Sequence, residues 1–193
     1  MNDRKVFEEH MLECLNKAGY GVTKSEMEAA AGKAYEAYEA YKAENKQAAQ
    51  YALNYAEEHH CKTIVVGGRP YHIDPEINHG LNKLFTSLGF VVVTGDCVSQ
   101  ISSKEATNVL NQWTYHARMY SAAKYVLTAK NTEMVQFVSF GCGLDAITTD
   151  EIRDILQEGG KLYTQIKIDE IDNLGAAKIR IRSLLAAMEE RGE

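Results

Sequence analysis

From residue 62 onward the chain alternates short β-branched runs with longer amphipathic stretches. Thr63 to Val66, Phe90 to Thr94, Glu133 to Phe140 and Leu162 to Ile168 read as four strands, each separated from the next by ten or more helix-like residues. That rhythm is the βαβ repeat of a parallel sheet, and right-handed crossovers put helices on its two faces. The expected class is α/β: a four-stranded, doubly wound parallel sheet, a flavodoxin- or Rossmann-like three-layer sandwich with strand order 2-1-3-4. Residues 1–60 follow a different, helical and polar pattern. Thr23-Lys-Ser-Glu26 is a capping box opening a long alanine-rich helix, and Gly19-Tyr-Gly21 ends a shorter one before it. The chain is thus expected to divide into an N-terminal helical segment, 1–60, and an α/β domain, 61–193.

Local signals predict where the later helices begin. Asp74-Pro75 reads as an N-cap followed by proline at the first helical position. Ser102-Ser-Lys-Glu105 and Thr148-Thr-Asp-Glu151 read as capping boxes after the second and third strands. A last helix, from about Asn173, carries Ile179, Leu184, Leu185 and Met188.

Composition narrows the function classes. With 45% hydrophobic residues the chain can bury a core, and its net charge of −6 comes from acidic residues scattered among lysines and arginines. No basic stripe is present, which argues against nucleic-acid and anionic-membrane partners. Tyr35, Tyr38, Tyr41, Tyr51 and Tyr55 lie among glutamates, so they read as packing of the long helix on a neighbour rather than as a base-stacking platform. The amino terminus has no apolar signal region, and no run approaches the ~18 apolar residues of a membrane span. A cytoplasmic protein is the expectation. Cys14, Cys61, Cys97 and Cys142 are far apart and form no CxxC pair, which speaks against a disulfide framework or a self-contained metal site.

Four parallel strands place their following loops on one edge, where such sheets bind ligands. Those loops, 67–74, 95–103, 141–148 and 169–173, hold Arg69, Tyr71, His72, Asp96, Cys97, Cys142, Asp145, Asp169 and Glu170 on or beside them. Gly67, Gly68, Arg69, Tyr71 and His72 form the first candidate ligand site. The glycines allow close approach and offer backbone N–H groups, and Arg69 offers a planar fork for carboxylate or phosphate. The alternative for Arg69 is a salt bridge to Asp74 or Glu76. His72 suits proton donation, metal ligation or plain hydrogen bonding that holds the loop.

Cys142 lies between two glycines at an expected helix amino terminus, which stabilises a thiolate ligand or nucleophile; a small residue in a tight turn is the alternative. Cys97 is the weaker metal candidate, and Cys14 and Cys61 read as structural. His116 is expected to pack against the sheet, and His59 and His60 to be solvated at a helix end. The adjacent Asp169 and Glu170 point to opposite faces of an extended stretch and make a poor acid–base pair. GxxxxGK[ST], the third glycine of a dinucleotide loop and GxSxG are all missing.

The segment Gly67-Gly-Arg-Pro-Tyr-His-Ile-Asp-Pro-Glu-Ile-Asn-His-Gly80 resembles the GRPYHxDPEINHG signature of a dehydratase-like domain. That domain belongs to long anaerobic proteins of the 2-hydroxyacyl-CoA dehydratase activase group, relatives of the benzoyl-CoA reductase activators. Asn111 to His116, Val138 to Asp145, Tyr163 to Glu170 and Ile179 to Leu184 resemble the same domain, which extends the likeness over roughly residues 60–185. The resemblance implies a domain of an ATP-driven iron–sulfur redox system acting on acyl-CoA. It implies a [4Fe–4S] cluster shared with other domains, with Cys142 as the matching ligand. It also implies partners in the sugar-kinase/actin-type ATPase modules and in further dehydratase-like domains. One good thiol is too few for a cubane, so the isolated chain is expected to hold no cluster and to be inactive. The competing expectation is a non-catalytic module that binds a small anion or nucleotide, or docks to the ATPase.

Overall fold

A computed structural model describes residues 3–102, 113–139, 143–168 and 174–192. These fall into two compact units, residues 1–44 and 45–193, and one long helix passes through the boundary.

In the first unit, α1 (Arg4–Lys17) and the start of α2 (Lys24–Glu58) pack through Phe7 and Arg4, which meet the Tyr35 ring edge-on at 6.2 Å and face-on at 4.7 Å. The turn between them is closed by Asn16, whose side chain bonds both the N–H and the C=O of Val22. The capping box is reciprocal: Thr23 N–H donates to the Glu26 carboxylate, and Glu26 N–H to Thr23 Oγ1.

The tyrosines depart from expectation, because Tyr38, Tyr41, Tyr51 and Tyr55 are exposed and only Tyr35 among the five is half-buried. Met27 and the small residues Ala31, Ala49 and Ala56 carry the buried stripe of α2, and the four exposed tyrosines fall off it.

The second unit contains the predicted sheet. β1 (Thr63–Gly67), β2 (Val91–Thr94), β3 (Thr132–Val138) and β4 (Tyr163–Lys167) are all parallel, in the order β2-β1-β3-β4. Period-two alternation sorts their side chains between two cores. Ile64, Val66, Val135, Phe137 and Ile166 face α3 (Leu81–Ser87) and α7 (Gly175–Glu190), meeting Phe85, Ile181 and Leu184. Val65, Val93 and Met134 face α5 (Thr114–Thr128) and α6 (Gly143–Glu158), together with Ala52 and Leu53 of α2. α4 (Gly95–Val98) is a single turn after β2, capped by Thr94 Oγ1. Ile168 N–H donates to Val138 O, so by alternation the Gln165 carbonyl points off the free edge of β4. Arg180 takes it at 2.8 Å and blunts that edge.

Two predicted helix starts are corrected. Asp74-Pro75 opens no helix: a 3-10 turn, Pro70–Ile73, and a further turn precede α3, which begins only at Leu81 after left-handed Gly80. The Asp74 carboxylate instead accepts the Glu76 N–H in a local turn. Thr148 to Glu151 lies inside α6 rather than at its start, and Thr148 Oγ1 donates back to the Leu144 carbonyl. The box predicted at Ser102 to Glu105 runs out of the described residues after Ser102. No helix among the described residues is long and apolar enough to cross a membrane.

Candidate functional site

The segment after β1 is built around His72, which is 1% exposed. Its Nδ1 accepts the Arg69 N–H at 3.1 Å, so the ring proton is on Nε2, which donates to the Ser139 hydroxyl at 2.8 Å. Buried Asn78 closes the rest of the loop, giving its amide to the His72 carbonyl and accepting the Gly80 N–H. His79 and Gly80 turn the chain into α3 with φ of 53° and 77°.

Neighbouring side chains crowd both glycines, and at Gly68 they require one. A Cβ at Gly68 would sit 2.6 Å from His72 Nδ1, and one at Gly67 would meet the Met134 and Met119 methyl groups. The methionine ends can give way, whereas the His72 ring is held at both nitrogens. Gly68→Ala is expected to cost about 1–3 kcal/mol in urea unfolding. The Gly68 N–H is turned onto Met119 Sδ at 3.1 Å.

Arg69 does not pair with Asp74 or Glu76. Its Nη2 donates at 2.8 Å to Asp145 in the first turn of α6, 76 residues further on, with side-chain exposures of 26% and 8%. A second pair lies beside it: Arg118 of α5 donates to Asp96 of α4 at 2.9 Å. Arg69, Arg118, Asp96 and Tyr115 border one narrow cleft with room for about one water molecule. Gly68 and Met119 also line it.

His116 is buried, as expected, but its Nε2 has no hydrogen-bond partner among the described residues. Burial lowers its pKa from the ordinary value, a shift that Asp145 opposes and Arg69 adds to.

The other candidates scatter. Tyr71 is exposed, with its ring edge-on to His72 at 4.6 Å. Cys97 is half-buried in α4, where its sulfur accepts from Thr94 Oγ1 and its S–H donates to Asn45. Cys14 is exposed on α1, and Cys61 is half-buried just before β1. Cys142, Asp169 and Glu170 lie outside the described residues. Among the described residues no three His, Cys, Asp or Glu side chains converge as metal ligands, and Cys97 is the one described thiol at this edge. The described donors alone do not fit a cubane cluster.

Sequence reasoning placed Asp145 at this edge but missed its pairing with Arg69, and missed Arg118 altogether. An arginine inside a helical stretch carries no local mark of the loop it will reach.

The family model described as the CoA enzyme activase uncharacterised domain matches residues 1–98, which include the helical segment and the segment after β1. The later segments of the resemblance, from Asn111 on, lie beyond that match. No curated protein and no solved structure matches the chain. With just over half of its 193 residues matched, the chain belongs to the CoA enzyme activase uncharacterised domain family.

Proposed function

We propose that this chain is a component of an ATP-driven iron–sulfur redox system acting on acyl-CoA, and that the carboxyl edge of its sheet forms part of a cluster or substrate site completed by other domains. The observation that carries this reading is the placing of Arg69, Arg118 and Asp96 on one cleft at that edge, with Asp145 bonded to Arg69, in a chain of the activase-related family. When bound, a [4Fe–4S] cluster supplies one-electron transfer. This chain's own part is the Cys142 thiolate, with the remaining ligands coming from partner domains, and the two ion pairs, Arg69–Asp145 and Arg118–Asp96, hold the surrounding edge in place. In the assembled system, Cys142→Ser is expected to lower iron content while the isolated variant chain keeps its unfolding midpoint. Full iron content and activity in the assembled variant would reject the ligand assignment.

A docking role is the second reading, and one observation favours it. Tyr71, Ile73 and Ile77 from the segment after β1, Trp113 ahead of α5, and Leu144 and Ile147 from the start of α6 are large apolar side chains left exposed at this edge. On this reading they cover a face of the ATPase modules or of another dehydratase-like domain. Ile73→Asp with Ile147→Asp is then expected to weaken co-purification with those domains by about tenfold or more, as for hot-spot apolar contacts. Unchanged association would remove the docking role.

A further inference from the structure

We infer that the cleft at the carboxyl edge is a site for a phosphate-type anion, in which Arg118 of α5, rather than the amides of the glycine loop, is the second cation beside Arg69. The ligand displaces Asp145 and Asp96 from the two guanidiniums. The inference rests on the reading of this edge as the working face and deepens it by naming a ligand class.

The glycine loop is not built to cradle an anion, since the Gly68 N–H is spent on Met119 Sδ and the Arg69 N–H on His72 Nδ1. The side chains around it are better suited. Arg69 reaches the cleft from the loop after β1 and Arg118 from α5, each giving a hydrogen bond to one oxygen of an internal aspartate, at 2.8 Å and 2.9 Å. A guanidinium carries five donors. The Nε of Arg118, beside the cleft, is buried with no hydrogen-bond partner among the described residues. The two arginine side chains keep 26% and 34% of their surface in water, so both are reached from solvent, and displacement of the two aspartates widens a cleft that otherwise has room for about one water molecule.

The tethered aspartates also limit what can bind. A monocarboxylate would replace like with like against groups already held in position. A ligand that wins must bring more charge and more acceptor oxygens, as a phosphate or diphosphate does, and such a group can bridge two planar forks. Tyr115, Pro70 and Ile73 form a less polar wall beside the arginines.

The test is titration of inorganic pyrophosphate into the intact chain at low salt, read by the fluorescence of Trp113, the only tryptophan, exposed ahead of α5. Binding that weakens with added salt is expected, with Arg118→Gln lowering affinity about tenfold. Asp96→Asn is expected to tighten binding roughly three- to tenfold, because it releases Arg118 without changing side-chain volume. Asp150→Asn, which releases Arg153 on the exposed face of α6, is expected to leave affinity unchanged. Competition by coenzyme A or by ADP then identifies the source of the phosphate. If Arg118→Gln fails to fold, the near-isosteric Asp96→Asn decides the matter by itself. Unchanged or weaker binding in folded Asp96→Asn, or no binding in any variant, would overturn the anion site and show the two ion pairs to be structural. The iron content of Cys142→Ser in the assembled system is read separately, so loss of this site leaves the redox reading standing.

Discussion

Replacing Arg191 by methionine is expected to cost about 3 kcal/mol of stability at pH 8, although the residue lies past the end of α7 and far from the cleft. The reason is Glu133, a fully buried carboxylate at the start of β3. It accepts from the Arg191 guanidinium and, at 3.0 Å, from the Leu162 N–H, while Arg191 also donates to the Gly160 carbonyl. Removing the arginine leaves the buried carboxylate to the Leu162 N–H and the charge of Lys161. The estimate sits at the low end for a broken buried pair because the Arg191 side chain retains 29% exposure.

The pH dependence has a definite sign. Burial holds Glu133 above the ordinary 4.5, and Arg191, Lys161 and the Leu162 N–H pull it back only in part. The folded state thus binds this proton more tightly than the unfolded state. The group's contribution is fullest below 4.5 and falls as pH rises through the raised value. Without Arg191 the value rises further, so the deficit should be larger at pH 8 than at pH 5 in urea unfolding. A pH-independent loss below about 1 kcal/mol would mean that the pair behaves as an ordinary surface bridge.

His72→Ala is expected to cost about 3 kcal/mol, with Tyr71→Ala next to it nearly neutral. Truncation at His72 strands the Arg69 N–H and the Ser139 hydroxyl and opens a void beside Phe137, whose ring centre lies 6.5 Å from the imidazole. Tyr71 is exposed and only edges onto His72. Denaturant midpoints of the two variants separate the residue that holds the loop from the one that faces outward. Equal effects would contradict this division of roles.

Much of the fold was legible because its signals are local or periodic. The Thr63 to Val66 run, the Thr23 to Glu26 box and the Gly19-Tyr-Gly21 break each act within a few residues, and each holds in the structure. Misread signals were those that two conformations can use. Asp74-Pro75 serves a turn as well as a helix start, and Thr148-Thr-Asp-Glu151 fits a helix interior once Thr148 bonds backwards along α6. The long helix misled through its tyrosines, because apart from Met27 its buried positions are alanines, which signal weakly in hydropathy.

By itself, the sequence determined four parallel strands and the edge at which Arg69, His72, Asp96 and Asp145 would collect, since right-handed crossovers put the loops after parallel strands on one edge; the order 2-1-3-4 is one of several that those rules allow, and the structure has it. Only the tertiary structure decided the partners within that edge. Arg69 bonds Asp145 rather than nearby Asp74 or Glu76, Gly68 is small to admit the His72 ring, and Arg118 reaches Asp96 from another element. Such pairings depend on which side chains superpose once β1 and β3 lie side by side, a distance of ångströms in space that spans 76 residues of chain for Arg69 and Asp145 and leaves no trace in local spacing.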